Sequence, residues 1–264
     1  MKNAKALFIS HGGGPMPLLG DPGHEELVAT LKAVSFELEK PEAIVVVSAH
    51  WEESVPTITA GANPPLIYDY YGFPEESYSI QYPCAGNPAL AKDVYQMLMD
   101  AGIESRLDEN RGFDHGLFIP LKILYPAADI PCIQLSLVNS LEPALHINMG
   151  RALRALSQRN VLLIGSGFSF HNMKAFFANE TEEEQQLNSA FEKWLANVCS
   201  STDYTEQQRT ELLTEWERAE GARYCHPREE HLLPLHVCYG LAESSALKSF
   251  SLRILDKKSS MYLW

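Results

Sequence analysis

Histidine is the residue type whose placement carries most chemical information in this chain. Ala6-Leu7-Phe8-Ile9-Ser10 delivers His11 into Gly12-Gly13-Gly14-Pro15, and Ile44-Val45-Val46-Val47-Ser48-Ala49 runs into His50-Trp51. Apolar, β-branched runs of this kind read as strands buried on both faces. Each histidine therefore falls at the carboxyl end of a strand, the rim where open α/β sheets bind ligands. A third, His231, follows Glu229 and Glu230 and precedes Leu232-Leu233-Pro234. Three neutral imidazoles gathered from such places make a facial set that suits iron(II) or zinc and leaves room for exogenous ligands. Of the two ions only iron could activate dioxygen, because zinc has no redox chemistry. A carboxylate from Glu229 or Glu230 would give instead the two-histidine-one-carboxylate set of non-heme oxygenases.

Two further histidines are candidates for proton transfer. His171 lies in Phe168-Ser169-Phe170-His171-Asn172 and His115 in Arg111-Gly112-Phe113-Asp114-His115-Gly116. An imidazole with a near-neutral pKa takes a phenolic proton and returns it to an oxygen atom. His171 is also a candidate fourth ligand for zinc. His226 and His236 stand five residues to either side of His231, off its helical face, and read as packing groups. His146, inside a helical pattern, reads the same way.

The elements that must position these side chains alternate between strand and helix. Strands are expected at Ala6 to Ser10, Ile44 to Trp51, Val55 to Thr59, Ile103 to Leu107, Pro131 to Leu137 and Val161 to Gly167, with an edge strand over Ser249 to Leu255 closing the chain. Helices are expected over His24 to Lys40, with Leu27, Leu31, Val34 and Leu38 as the apolar stripe, over Pro88 to Ala101 behind the cap Asn87, and over Leu141 to Ser157. Leu117 to Tyr125 is a short apolar helix or turn. The acidic, Gln-rich stretch Glu180 to Glu215 reads as a solvated helical outer layer without chemistry, and Tyr224 to His236 opens a helix with Pro227 just ahead of it. Pro15 to Pro22 is too rich in proline to be helical, so an irregular loop must pass beside His11. A second loop gathers Tyr68, Tyr70, Tyr71, Phe73, Tyr78 and Tyr82 between prolines, either as a wall for a flat aromatic ligand or as ordinary loop packing. The pattern implies an α/β fold: a single-domain sandwich over residues 1–264 with a central, largely parallel or mixed sheet flanked by helices.

Bulk composition narrows the function classes. A net charge of -13, with no Lys/Arg cluster, disfavours nucleic-acid partners. No apolar stretch is long enough to span a bilayer, and Met1-Lys2-Asn3-Ala4-Lys5 enters the first strand without an apolar leader, which predicts a soluble, cytoplasmic protein with no membrane partner. Five cysteines, at 84, 132, 199, 225 and 238, form no Cys-x-x-Cys pair and leave one over. That count argues against a disulfide framework and fits a reducing compartment in which iron(II) persists.

Taken together, these residues resemble the class III extradiol ring-cleavage dioxygenases, in particular the LigB-like, DOPA 4,5-dioxygenase-type branch. The resemblance is carried by Ser10-His11-Gly12 with Pro15, Val47-Ser48-Ala49-His50-Trp51, Tyr82-Pro83 with Gly86 and Pro88, and Gly112-Phe113-Asp114-His115-Gly116. It continues through Gly165-Ser166-Gly167 with His171-Asn172 and through His226-Pro227 with Glu230-His231 and Pro234-Leu235, in the family's order over almost the whole chain. It implies a mononuclear non-heme iron(II) enzyme, with zinc able to occupy the site. The implied reaction uses O2 to open the ring of a catechol, DOPA-like or otherwise substituted, to a muconic semialdehyde. By motif, His11, His50 and His231 would hold the metal, His171 would be the acid-base residue and His115 a substrate-side histidine. The three glycines after His11 and the long acidic insert before His226 depart from many relatives, and both border the expected pocket.

Two other readings compete. His11-Gly12-Gly13-Gly14 is similar to the oxyanion loop of some esterases, with Ser166 as nucleophile, but Ile164 and Phe168 occupy the positions where a Gly-x-Ser-x-Gly elbow needs glycine. The Memo-type proteins share the expected fold as non-catalytic binding proteins, against which the retention of every histidine argues.

Overall fold

The structure, a computed structural model, describes residues 5–264. Residues 1–4, on which the reading of the amino terminus partly rests, lie outside them. The first half of the chain forms β1 (Ala6–Ser10), α1 (Glu25–Glu37), β2 (Ala43–Glu53), β3 (Thr57–Thr59), α2 (Pro88–Asp100), β4 (Arg106–Asp108), α3 (His115–Leu124) and β5 (Cys132–Val138). The second half forms α4 (Pro143–Ala152), β6 (Val161–Gly167), α5 (Met173–Phe176), α6 (Glu182–Ser200), α7 (Glu206–Thr214), α8 (Ala222–Cys225), α9 (Leu233–Ala242), β7 (Lys248–Ile254) and β8 (Lys257–Leu263).

The eight strands of the described residues join one mixed sheet in the order β4-β3-β5-β2-β6-β1-β8-β7. Its centre is parallel, with β2 between β5 and β6 and β1 against β6, while β8 runs antiparallel to β1 and β7 antiparallel to β8. The expectation of a parallel or mixed sheet between helical layers is met. Both faces of the central strands are buried. Val45 and Val47 face a core shared with α2, α4, α6 and α9, and Ile44 and Val46 face one shared with α1 and α3. That explains why β2 is continuously apolar from Ala43 to Val47 rather than alternating. Burying such a side chain fully is worth about 1.5–3 kcal/mol, so the strands that end at His11 and His50 are firmly held.

Several elements differ from expectation. The first helix stops at Glu37, short of Lys40, and the helix expected to reach Ser157 ends at Ala152 in a 3-10 turn, Arg154–Gln158. The 180–215 stretch is not merely a solvated layer. Phe191, Leu195, Val198 and Leu213 are buried from α6 and α7, and the polar Asn188, Glu192 and Arg209 are buried with them, so the segment closes the core. The helix expected to open near His226 starts at Leu233, with Pro234 in its first turn, leaving His231 in the connection ahead of it. The chain does not close on β7: after a turn through Leu255 and Asp256, both at positive φ, β8 returns between β1 and β7.

Candidate metal centre

The carboxyl ends of three adjacent parallel strands, β1, β2 and β6, meet at one rim of the sheet, and five histidines converge there. His11 is the first residue past β1 and hydrogen-bonds back to the sheet through its N–H on Gly167 O at 2.9 Å. His50 sits where the pairing of β2 with β5 slips between Ser48 and Glu52, an irregularity of the kind that re-aims a side chain at a sheet rim. His231 is fixed by its carbonyl, which accepts Phe168 N–H at 2.8 Å, and a side chain at Gly167 would collide with that same carbonyl. His171 is placed by its N–H on Cys225 O at 2.8 Å. His115 opens α3 behind its cap Asp114, whose carboxylate accepts Gly116 N–H at 3.0 Å and Ser48 Oγ–H at 2.8 Å.

One nitrogen from each of His11, His50 and His231 lies within 4.8 Å of the other two. The hydrogen bonds behind the rings decide what those nitrogens offer. Ser166 Oγ–H donates to Gly116 O at 2.5 Å, so its oxygen accepts from His11 Nδ1–H at 3.0 Å, and His11 Nε2 keeps its lone pair. Glu230 Oε1 can only accept, so His231 Nδ1, 2.9 Å away, carries the proton and Nε2 is free. Burial and the neighbouring imidazoles push His11 and His50 well below the usual histidine range, and His231 to about 3. Near neutral pH all three rings are therefore uncharged donors.

His11 Nε2 and His50 Nε2 approach to 3.1 Å. With His11 Nε2 unprotonated, that contact is favourable only if a proton or a cation lies between the two rings. Nitrogens about 2.1 Å from an ion stand roughly 3 Å apart at right angles, so the His11–His50 pair is spaced as two donors to one zinc- or iron-sized ion would be.

The remaining histidines stand beside the cluster. The His171 ring stacks on His231 with centroids 3.3 Å apart, and its Nδ1 lies 3.1 Å from the same Glu230 Oε1. Burial opposes the charge on Glu230, but hydrogen bonds from His171 and His231 outweigh it and hold the carboxyl well below its usual range. His115 donates Nδ1–H to Asp69 Oδ1 at 2.8 Å and lies 3.9 Å, centroid to centroid, from His50. Glu229 is turned away in an ion pair with Arg223. His146, His226 and His236 are buried away from the cluster, each held by backbone carbonyls.

Sequence reasoning missed Asp69 and the supporting role of Glu230, and considered Ser166 only as a nucleophile. Ser166 is fully buried with its proton committed to Gly116 O, and it does not line the cavity. A signal for Glu230 was present: a carboxylate adjacent to a candidate ligand histidine is a common outer partner of such a ring. The cavity in front of the histidines is about 590 Å³ and is lined by the triple-glycine loop, Met16, Tyr70, Tyr71, Phe73, Phe168, Met173, Phe176, Phe177 and Leu255. The aromatic loop thus divides, with Tyr70, Tyr71 and Phe73 forming a wall and Tyr82 packed inside with its hydroxyl on Tyr125 O at 3.0 Å.

Buried strand ends, a cluster of imidazoles beside carboxylates and an apolar cavity in front of them make a His-rich candidate metal site at the rim of an α/β sheet. The chain belongs to the family described as the catalytic LigB subunit of aromatic ring-opening dioxygenase, whose model matches residues 6–258, and so to the class III extradiol dioxygenases. It is 37% identical over 279 residues to the dioxygenase tasH of Hapsidospora irregularis, covering 99% of this chain and 85% of that one. To the 4,5-DOPA dioxygenase extradiol of Portulaca grandiflora it is 36% identical over 245 residues, covering 89% and 85%. The Escherichia coli K12 protein of that name is 36% identical over 236 residues, covering 89% and 84%. Among solved structures, the crystal structure of the uncharacterized protein JW3007 from Escherichia coli K12 superposes with a TM-score of 0.75 at 29% identity, covering 98% of each chain.

Proposed function

We propose that the chain opens the ring of a catechol, DOPA-like or otherwise substituted, to a muconic semialdehyde with O2. In this reading His11, His50 and His231 hold iron(II), and zinc can occupy the same place. The observation that carries it is the convergence of three neutral imidazole donors, two of them with nitrogens 3.1 Å apart, at the floor of a cavity large enough for an aromatic ring. Iron(II) bound there would supply the redox chemistry and the open positions that bring a diol and dioxygen together.

The protein's own groups then do the rest. Glu230 anchors both His231 and His171, so the ligand ring and the ring stacked on it move as one unit. With Nδ1–H on Glu230, His171 presents an unprotonated Nε2 as general base for a catechol hydroxyl, and the same proton is available later to an oxygen of the opened ring. His115, with Nδ1–H fixed by Asp69, offers a second acceptor on the side of His50 and orients the substrate. Phe168, Phe176 and Tyr70 limit water around the reacting groups. Five buried, free cysteines suit a reducing cytoplasm. Anaerobically iron(II)-loaded protein given a catechol should take up one dioxygen per ring opened and form a yellow semialdehyde. Absence of uptake across a panel of substituted catechols from protein with the metal in place would refute the reading.

A further inference from the structure

The diol end of a substrate is fixed by the metal and the histidines, but the rest of the cavity decides what the ring can carry. Its volume, about 590 Å³, is that of a pocket for a drug-sized ligand rather than for a bare ring. It also has a direction. His11, His115 and His231 are buried at its base, whereas Tyr71, Phe177 and Met173 at its mouth are 91%, 83% and 53% exposed. No Lys, Arg, Asp or Glu is among the described residues that line it. A carboxylate or ammonium drawn into such a space would lose hydration without gaining a side chain of opposite charge.

Charged groups do stand nearby, in a cleft of about 510 Å³ that shares His171 and Met173 with the cavity. Arg228 there is committed to Glu52 in a bidentate pair at 2.5 and 2.6 Å, and Glu230 to its two histidines. Lys174, an exposed side chain in the same cleft, is the group that a substrate carboxylate would have to reach.

Resting on the dioxygenase reading, we propose that this chain selects catechols bearing an uncharged alkyl or aryl substituent, which leaves the base of the cavity over Tyr71 and Phe177, in preference to catechols bearing an amino acid or carboxylic acid. Zinc-loaded protein, which binds without turning over, separates the two ideas by calorimetry. The probes are catechol, 4-methyl-, 4-propyl- and 4-butylcatechol, DOPA and 3,4-dihydroxyphenylacetate. Affinity should rise about four-fold with each added methylene that enters the apolar space. The charged catechols should bind more weakly than uncharged ones of equal length, because a charge held over the apolar wall gives up part of its hydration with no oppositely charged side chain to replace it. The double substitution Tyr71→Ala/Phe177→Ala should weaken 4-butylcatechol roughly ten-fold, in line with the loss of aromatic contact area. Lys174→Ala should change none of these values. Tighter binding of the charged catechols, dependence on Lys174, or indifference to chain length would overturn the inference while leaving the dioxygenase reading intact. No binding of any catechol by metal-loaded protein would overturn both.

Discussion

His171 and His231 share one carboxylate oxygen on Glu230, and that single atom ties a proposed ligand to a proposed base. Removing the imidazole of His171 should lower turnover by about 10²–10⁴-fold, the usual contribution of a positioned general base, while the metal content of His171→Ala stays near that of the wild type. Loss of the metal, seen by elemental analysis of the purified variant, would recast His171 as a ligand. Glu230→Gln retains the shape and loses the charge that makes His231 a stronger donor. Its metal affinity, measured by chelator competition, should fall about 10–100-fold, the usual cost of removing such an outer partner. An unchanged affinity would mean that Glu230 serves only to place His171.

The strands and connections explain why these side chains meet. Gly167 at the end of β6 lies against the carbonyl of His231, and a methyl there has no room. Gly167→Ala should fold with the sheet intact but displace His231, so that metal retention drops while far-ultraviolet circular dichroism is unchanged. Metal content equal to the wild type would show that the His231 segment can yield. On the opposite face, His146 in α4 donates Nδ1–H to Glu142 O at 2.8 Å and accepts Val138 N–H on Nε2 at 3.1 Å. Burial lowers its pKa to about 4. The unfolded chain therefore binds the extra proton first, below about pH 6.5. The stability this group contributes is complete above that pH and is lost as pH falls towards 4, by about 3 kcal/mol in all. Urea midpoints followed from pH 7 to 4 should fall less steeply in His146→Gln than in the wild type, and equal slopes would contradict the assignment.

At this scale it is also clear what the residue order alone could reveal. The apolar runs of β1, β2 and β6 each end in a distinctive residue, so the strand ends and their histidines were legible. Strand β8 was not, because Lys257, Lys258, Ser259 and Ser260 precede its apolar half and look like a tail until β1 and β7 are seen to flank it. Asp69 was hidden for a similar reason. Its partner His115 is 46 residues away, and they meet only because the aromatic loop is stitched to the approach to α3 through Phe113 N–H on Pro65 O and Ile67 N–H on Phe113 O.

Across the whole molecule, the sheet divides two apolar cores and brings its functional end to one rim, with the appended β8 and β7 completing the side next to β1. No helix among the described residues is long and apolar enough to cross a membrane. Metal stoichiometry in single variants bears on the centre of the proposal most directly. Wild-type protein reconstituted with iron(II) under argon should retain one ion per chain after desalting; His11→Ala, His50→Ala and His231→Ala should each lose it, and His115→Ala should keep it. Full retention in any of the first three, with the fold unchanged by circular dichroism, would show that these imidazoles do not share an ion.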